Sequence, residues 1–525
     1  MMLINNLNLP LDTDFTNLKP IIAKKLSVEP SKIVFAKLYR KSVDARRKSD
    51  VHFCCSVLVS LKTDEAVILK KYKNAVLFTE KKYLWQKAEK MPENRPVIAG
   101  FGPAGMFAAL TLARAGLKPL VVERGSCVEK RTAAVNDFFA GKPLNPECNV
   151  QFGEGGAGTF SDGKLTTGIK NSRARTVLEI LNQHGAPDKI LTDAKPHIGT
   201  DILIYVVKSI REEITTLGGQ VLFDSKLDGI TIMDGSLKEI FVNGKNIPCD
   251  TLILATGHSA RDTYKMLLDK GVALSKKPFS IGVRIEHLQS DINKALYGDF
   301  WDSPYLGAAD YKLAAHLKNG RGVYTFCMCP GGEVINASSE IGGIAVNGMS
   351  YSRRDGQNAN SALLVGVEPS DFEGDDVLAG CRLQEKIERA AYEIAGGSVP
   401  ITTVGNLVFG EDFEITKVKP TVKPSCKYAD FSKIFPDFII ETLKCGILEF
   451  GKKINGFDDK AAILTAPETR SSAPVKILRD ETYVSLSAEG LYPCGEGAGY
   501  AGGIVSAAVD GMTIAEEIIK TINKN

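Results

Sequence analysis

No uncharged stretch of this sequence is long enough to cross a membrane. The longest, residues 97–113, falls short of the roughly 20 residues a span requires and is interrupted by Gly100, Gly102, Pro103 and Gly105. Residues 1–11 show no basic region followed by an apolar run, so no secretory signal is expected. Charge of one sign is also scarce. Against 65 Lys and Arg stand 62 Asp and Glu, and a net +3 is too small to imply nucleic acid or an anionic membrane as partner of the whole chain. Internal repeats and low-complexity tracts are lacking. The 11 cysteines are odd in number and scattered, with no C-x-x-C or C-x-x-x-x-C pair. That pattern reads as reduced thiols in a cytoplasmic protein. It argues against a disulfide framework, a zinc set or a dithiol relay of the disulfide-reductase kind.

What is present is an ordinary globular composition, 44% hydrophobic and 24% charged over 525 residues, enough for about three domains. The front differs from the rest: residues 1–90 hold 18 Lys and Arg against 9 Asp and Glu. Residues 1–92 read as a small basic α+β domain, with an amphipathic helix at 18–26 and β-rich segments at 33–40 and 51–61. The turn containing Arg46, Arg47 and Lys48 is a solvated hairpin tip, since no aromatics are interleaved there for base stacking, and nucleic acid is not expected as a partner. The closely spaced Pro92 and Pro96 disfavour continued helix and mark a boundary. Residues 93–275 and 461–525 read as two parts of one α/β domain, with 276–460 inserted between them as a Gly- and Asn-rich α+β region.

The chemistry starts at Gly100-Phe101-Gly102-Pro103-Ala104-Gly105, a G-x-G-x-x-G placed directly after an apolar strand and before a helix. A second strand follows and ends at Glu123, 23 residues after Gly100. In a dinucleotide fingerprint the first glycine allows the tight turn, the second lets backbone approach a pyrophosphate, and the third lets helix and strand pack closely. The helix N-terminus then faces the diphosphate, and Glu123 would accept hydrogen bonds from the ribose. The same string recurs at Gly153, Gly155 and Gly158 and at Gly497, Gly499 and Gly502. Neither copy has the full context; the first is expected to be a loop.

Two further segments favour FAD over NAD alone. Residues 251–257 form an apolar strand ending in Ala255-Thr256-Gly257, and residues 492–497 place Glu496 at the end of a late strand before the helix that starts near Gly502 and Gly503. Glu496 could bind a ribityl hydroxyl, and that last helix would point its positive end at the flavin edge that becomes negative on reduction.

With GFGPAGMFAAL, VVERG, GEGGAGTFSDGKL, ILATGHSARDT, GVRIEH, CMCPGG and PCGEGAGYAGGI on the page, most of the chain resembles the two-domain flavoproteins with glutathione-reductase-like FAD domains. Within them it is similar to the group of uncharacterised FAD-dependent dehydrogenases. The resemblance implies a fold of the α/β class: a Rossmann-like FAD-binding domain with a three-layer parallel sheet, an inserted substrate domain and the small N-terminal domain. It also implies that Gly100, Gly102, Gly105, Glu123, Arg124, Thr256, Gly257, Gly495, Glu496 and Gly503 line the FAD site, to which Pro103, Ala104, Ala255, Gly502 and Ile504 are adjacent. Many relatives carry Asp where Glu496 stands.

A flavin performs hydride chemistry itself, so few catalytic side chains are expected. His258, beside Thr256-Gly257, leads as acid/base because its ordinary pKa lies near neutrality; helix capping or a phosphate contact is the competing role. Lys164 and Arg284 could bind an anionic substrate or the flavin, or be structural. Cys327 and Cys329 form a C-x-C whose thiols would share one face of a strand; they are read as reduced core or pocket residues, and no metal site is expected. The whole reads as an FAD-dependent oxidoreductase transferring a hydride to or from a small molecule. With no second fingerprint in context, NAD(P)H as electron donor would share the substrate's site. The alternative is a flavin-binding interaction protein that docks on RNA or a protein through the basic domain.

Overall fold

The computed structural model describes residues 1–62, 65–80, 82–318 and 320–524. Five three-residue strands form an all-parallel sheet in the order Leu491–Pro493, Leu252–Leu254, Val97–Ala99, Leu120–Val122, Gln220–Leu222. The first four are buried at every residue, as strands covered on both faces must be. One cover is helical, made by Pro103–Ala115, Thr200–Thr216 and Ile504–Lys524. The other combines helix Arg261–Asp269 with an antiparallel sheet of Leu227–Met233, Ser236–Val242 and Lys245–Pro248. These are the three layers the α/β reading implies, and the last strand and helix do return to complete them.

The inserted body is built on a seven-stranded sheet, ordered Ala314–His316, Gly322–Cys329, Asn358–Val367, Phe279–Leu288, Ile463–Glu468, Val399–Thr403, Cys426–Tyr428. Helices Ala379–Ala395 and Asp437–Gly451 pack on it. Ile463–Glu468 therefore sits inside this sheet, between Phe279–Leu288 and Val399–Thr403, whereas the sequence reading had placed everything after residue 460 in the FAD-binding part. The chain crosses back later, where Val475–Ile477 pairs antiparallel with the outgoing Leu274–Lys276. A short apolar strand has the same pattern in either sheet, so periodicity could not assign it.

The N-terminal unit is a four-stranded sheet in the order Ile33–Asp44, His52–Leu61, Met2–Leu9, Ala75–Leu77, with helix Lys19–Leu26 packed on it. His52–Leu61 alternates strictly between half-buried and buried residues. Strand Met2–Leu9 was not anticipated, because a register shift between Ile4 and Leu7 breaks its alternation. Arg46 lies at the hairpin tip as expected, 88% exposed and paired with Asp44. The unit is tied down at Lys41, which donates its N–H to Thr192 and accepts from Ala194, both at 2.8 Å. Beyond it the chain runs as a strap over the FAD-binding part, with the Tyr83 hydroxyl donating to Glu516 and Arg114 stacked 4.4 Å over Trp85. Among the described residues no helix is long and apolar enough to cross a membrane.

Helix Ile504–Lys524 lies against Pro103–Ala115 so closely that a β-carbon on Gly511 would collide with the Ala104 carbonyl. Gly511→Val is expected to force the two helices apart at a cost of roughly 1–3 kcal/mol. Thermal unfolding should show a lower midpoint for this variant and an unchanged one for the exposed Lys520→Ala.

Candidate functional site

A cavity of about 430 Å³ opens at the carboxyl ends of the parallel strands and is closed from the other side by the seven-stranded sheet. Crevices at that end of an open parallel sheet are where such folds bind nucleotides. Gly100 takes φ +97° at the turn out of Val97–Ala99, and a β-carbon on Gly105 would strike the Gly100 carbonyl and crowd Ile98. The turn is thereby pressed against its own helix. Pro103 occupies the first turn of that helix and no side chain caps its N-terminus, so free backbone N–H groups face the cavity. Helix Ile504–Lys524 begins at the same cavity beside Gly502 and Gly503. Two positive helix ends thus converge on one space.

Of the sequence-predicted residues, Gly100, Gly102, Pro103, Ala104, Glu123, Arg124, Ala255, Thr256, Gly257, Glu496, Gly502, Gly503 and Ile504 line this cavity, as do His258 and Lys164. Gly105 and Gly495 do not; each lies one layer behind, Gly495 with its N–H donated to Asp510 at 2.7 Å. Glu123 is 5% exposed. Its carboxylate accepts N–H groups from Phe101, Gly125 and Gly153 at 2.7, 2.9 and 2.9 Å, which takes most of its acceptor capacity. Arg124 is held by Glu147 and Asp262 at 2.8 and 2.6 Å and stacks over Phe152.

Of the two roles expected for Arg284, the fold gives it the structural one and not the ligand contact. It is fully buried and absent from the cavity wall, because its strand turns this side chain into the sheet's own packing. It donates to Glu468 at 2.9 Å, Asn360 at 2.8 Å and the Cys327 carbonyl at 2.6 Å. It supports cavity residues from behind instead of meeting a ligand. Burial pushes the Glu468 carboxyl up to about 7 despite this partner.

His258 departs from expectation. Its Nε2 lies 2.8 Å from the Arg470 carbonyl, which assigns the ring proton to that nitrogen and leaves the Nδ1 lone pair 3.7 Å from Glu496. Burial drives its pKa down to about 4. His258 is therefore neutral at pH 7, not poised there. Burial pushes Glu496 the other way, to about 7, with Lys277 pulling against the shift. The side chain keeps 26% of its surface open to the cavity, so the upward direction is complete only with the cavity filled. The group that titrates near neutrality is the carboxyl, not the imidazole.

Sequence reasoning missed much of the wall. The Gly153–Gly158 string is a loop, as expected, yet Gly153, Gly156 and Gly158 line the cavity, with Gly156 against Gly102. Arg131 organises this loop. It is fully buried and donates to the carbonyls of Asn149, Val150, Glu154 and Gly156 at 2.9, 2.9, 2.6 and 2.9 Å. The inserted body contributes Lys312, Cys327, Glu468 and Arg470. The two bodies are joined by a buried cluster: Glu388 accepts from Arg261 at 2.9 Å and from Arg470 at 2.8 Å, all three less than 9% exposed. No group of three or more His, Cys, Asp or Glu suited to a metal occurs among the described residues.

Comparison with known proteins follows this division. Residues 94–276 match the family described as pyridine nucleotide-disulphide oxidoreductase, and residues 278–471 the one described as FAD-dependent protein, C-terminal domain-like. Residues 1–60 match a domain of unknown function, DUF8436. An "Uncharacterized protein" of Clostridium beijerinckii (strain ATCC 51743 / NCIMB 8052) is 49% identical, covering 98% of both chains. The chain belongs to a family of FAD-dependent flavoproteins. Among solved structures, the flavin-dependent brominase Bmp2 is 12% identical over 82% of this chain and 80% of its own, with a TM-score of 0.37. L-proline dehydrogenase from P. horikoshii is 13% identical over 83% and 95%, with a TM-score of 0.33. Superposition at that level bears on no mechanism. The cofactor of this flavoprotein is FAD, and the uncapped helix end, the glycine turns and the converging strand ends fit it.

His258 supplies a pH test. Its pKa in the fold, about 4, lies below its ordinary 6.5. Between those values the unfolded chain holds the extra proton, so the stabilisation is complete above pH 6.5 and is lost as pH falls toward 4. The shift corresponds to about 3 kcal/mol. His258→Gln, which keeps a donor for the Arg470 carbonyl, should flatten this part of the stability profile in denaturant titrations between pH 4 and 7.

Proposed function

We propose that this flavoprotein transfers a hydride between FAD and a small anionic molecule bound between the cofactor and the seven-stranded sheet. The observation that carries this reading is the joint wall of the cavity: nucleotide-type turns on one side and, on the other, Lys164 and Lys312, which pair with no carboxylate among the described residues. Among the described residues the Lys164 ammonium donates to the Met328 carbonyl alone, which leaves two of its three donors for acceptors on a ligand. FAD supplies the two-electron chemistry when bound.

The chain's residues bind, orient and manage protons. The N-terminal N–H groups of Pro103–Ala115 meet the diphosphate, and Glu123 holds the turn that presents them while offering its remaining lone pair to the ribose. The start of Ile504–Lys524 lies where negative charge on the ring edge would be stabilised. Glu496, with a pKa near neutrality, holds or releases the proton that accompanies hydride transfer, and neutral His258 keeps its Nδ1 lone pair toward it. The inserted body excludes bulk water from the reacting space.

Purified protein should be yellow, and anaerobic mixing with a panel of small carboxylates and phosphates, and with NAD(P)H, should bleach the flavin with at least one of them. Lys164→Ala and Lys312→Ala should each raise KM for that anion about tenfold, the equivalent of one charge-assisted hydrogen bond, with flavin content unchanged. A flavin that no anion and no nicotinamide reduces would point instead to a binding protein whose cofactor is structural.

A further inference from the structure

Cys327 and Cys329 lie where the strand Gly322–Cys329 is irregular. Register shifts between Phe326 and Cys329, and Cys327 takes a left-handed φ of +42°, a conformation that residues with a β-carbon adopt rarely and mostly at functional positions. Regular alternation, which would have set both thiols on one face, is therefore lost. Cys327 is half-buried and opens on the flavin cavity, while Cys329 is fully buried behind it. The Cys329 thiol donates to the Cys327 carbonyl at 3.3 Å, and its sulfur lies 3.7 Å from the Arg284 guanidinium. Lys164 binds the intervening Met328 carbonyl.

We infer that Cys327 and Cys329 form a dithiol–disulfide couple that exchanges two electrons with the bound FAD. The inference rests on the flavin chemistry proposed above and supplies it with a second redox partner inside the protein. In the oxidising direction the two thiols lose two protons and two electrons and an S–S bond forms. FAD takes both electrons and one proton, and the second proton leaves through the cavity. In the reverse direction the reduced flavin returns the pair and the S–S bond breaks.

Three features support it. Only Met328 separates the two cysteines, and the irregular backbone there brings the Cys329 sulfur to 3.3 Å from the Cys327 carbonyl. A disulfide closed across so short a loop departs from relaxed geometry and is readily reduced, which suits a catalytic couple better than a structural one. The cationic surroundings favour a thiolate: the Cys327 thiol is lowered by the neighbouring Cys329 side chain, with Lys164 and Arg284 acting in the same direction, while Cys329 is pushed up. Cys327 is also close enough to Glu496 for its charge to act on that carboxyl, which places the thiolate in electrostatic reach of the cavity residue expected nearest the ring. The absence of C-x-x-C and C-x-x-x-x-C argued against a dithiol relay of the disulfide-reductase kind, and the C-x-C pair was read as reduced core or pocket residues. This couple would stand on the wall opposite the nucleotide turns.

The test uses the yellow holoenzyme after mild oxidation and removal of the oxidant. Thiol counting in denaturant should find two fewer than the 11 thiols of the chain. Anaerobic titration with dithionite should consume two two-electron equivalents per flavin in the wild type and one in Cys327→Ser and in Cys329→Ser, each of which should remain yellow. Wild-type protein that takes up one equivalent and keeps all its thiols, or single variants that titrate like it, would overturn the couple and leave the flavin reading intact. A colourless preparation would remove both.

Discussion

One buried carboxylate holds the two halves of the catalytic space in register. Glu388, on a helix of the inserted body, is gripped by Arg261 from the FAD-binding part and by Arg470, just beyond strand Ile463–Glu468 of its own body, and its carboxyl is held far below the usual range by those two guanidinium groups. Removing one partner of such a pair leaves an uncompensated charge away from water, typically a loss of about 3–5 kcal/mol. Arg470 does more than neutralise: its carbonyl receives the His258 proton, and its side chain lines the cavity. The clamp therefore sets the position of the sheet over the flavin site and the tautomer of the histidine next to it.

Around the cavity, polar groups are arranged so that burial opposes their ordinary charge. Glu496 and Glu468 are pushed up to about 7, His258 down to about 4. Arg284 remains charged beneath Glu468, and Lys164 remains at the wall. Perturbed carboxyls beside basic side chains, in a cleft between two bodies, are characteristic surroundings of a functional site. The loop from Asn149 to Gly156 contributes shape more than charge, and it owes that shape to the five carbonyls bonded by Arg131.

The fingerprint at Gly100–Gly105 was legible because its logic is local: turn, helix start and strand lie within one continuous segment, and each glycine answers a backbone demand set by its neighbours. Thr256-Gly257 and Glu496 were legible as strand ends for the same reason. For Arg284 the sequence left a ligand contact and a structural role open, because its direction depended on Asn360 and Glu468 in two neighbouring strands. His258 lines the cavity beside Thr256-Gly257, but its pKa could not be read, since it is set by burial in the assembled fold, where its ring meets the Arg470 carbonyl 212 positions away. The glycine loop at 153–158 was dismissed as a nucleotide fingerprint, correctly, yet it lines the cavity through contact with Gly102.

The sequence by itself determined the α/β class, the FAD-type turn and the late return of the chain, because strand periodicity, glycine spacing and terminal acids are properties of short contiguous stretches. Only the tertiary structure decided which strand closes the inserted sheet, which basic residues face the cavity, and that a C-x-C pair stands across from the nucleotide turns. Those features arise where separate loops meet, and the energy of a charge or a thiol there is set by neighbours that no local pattern names.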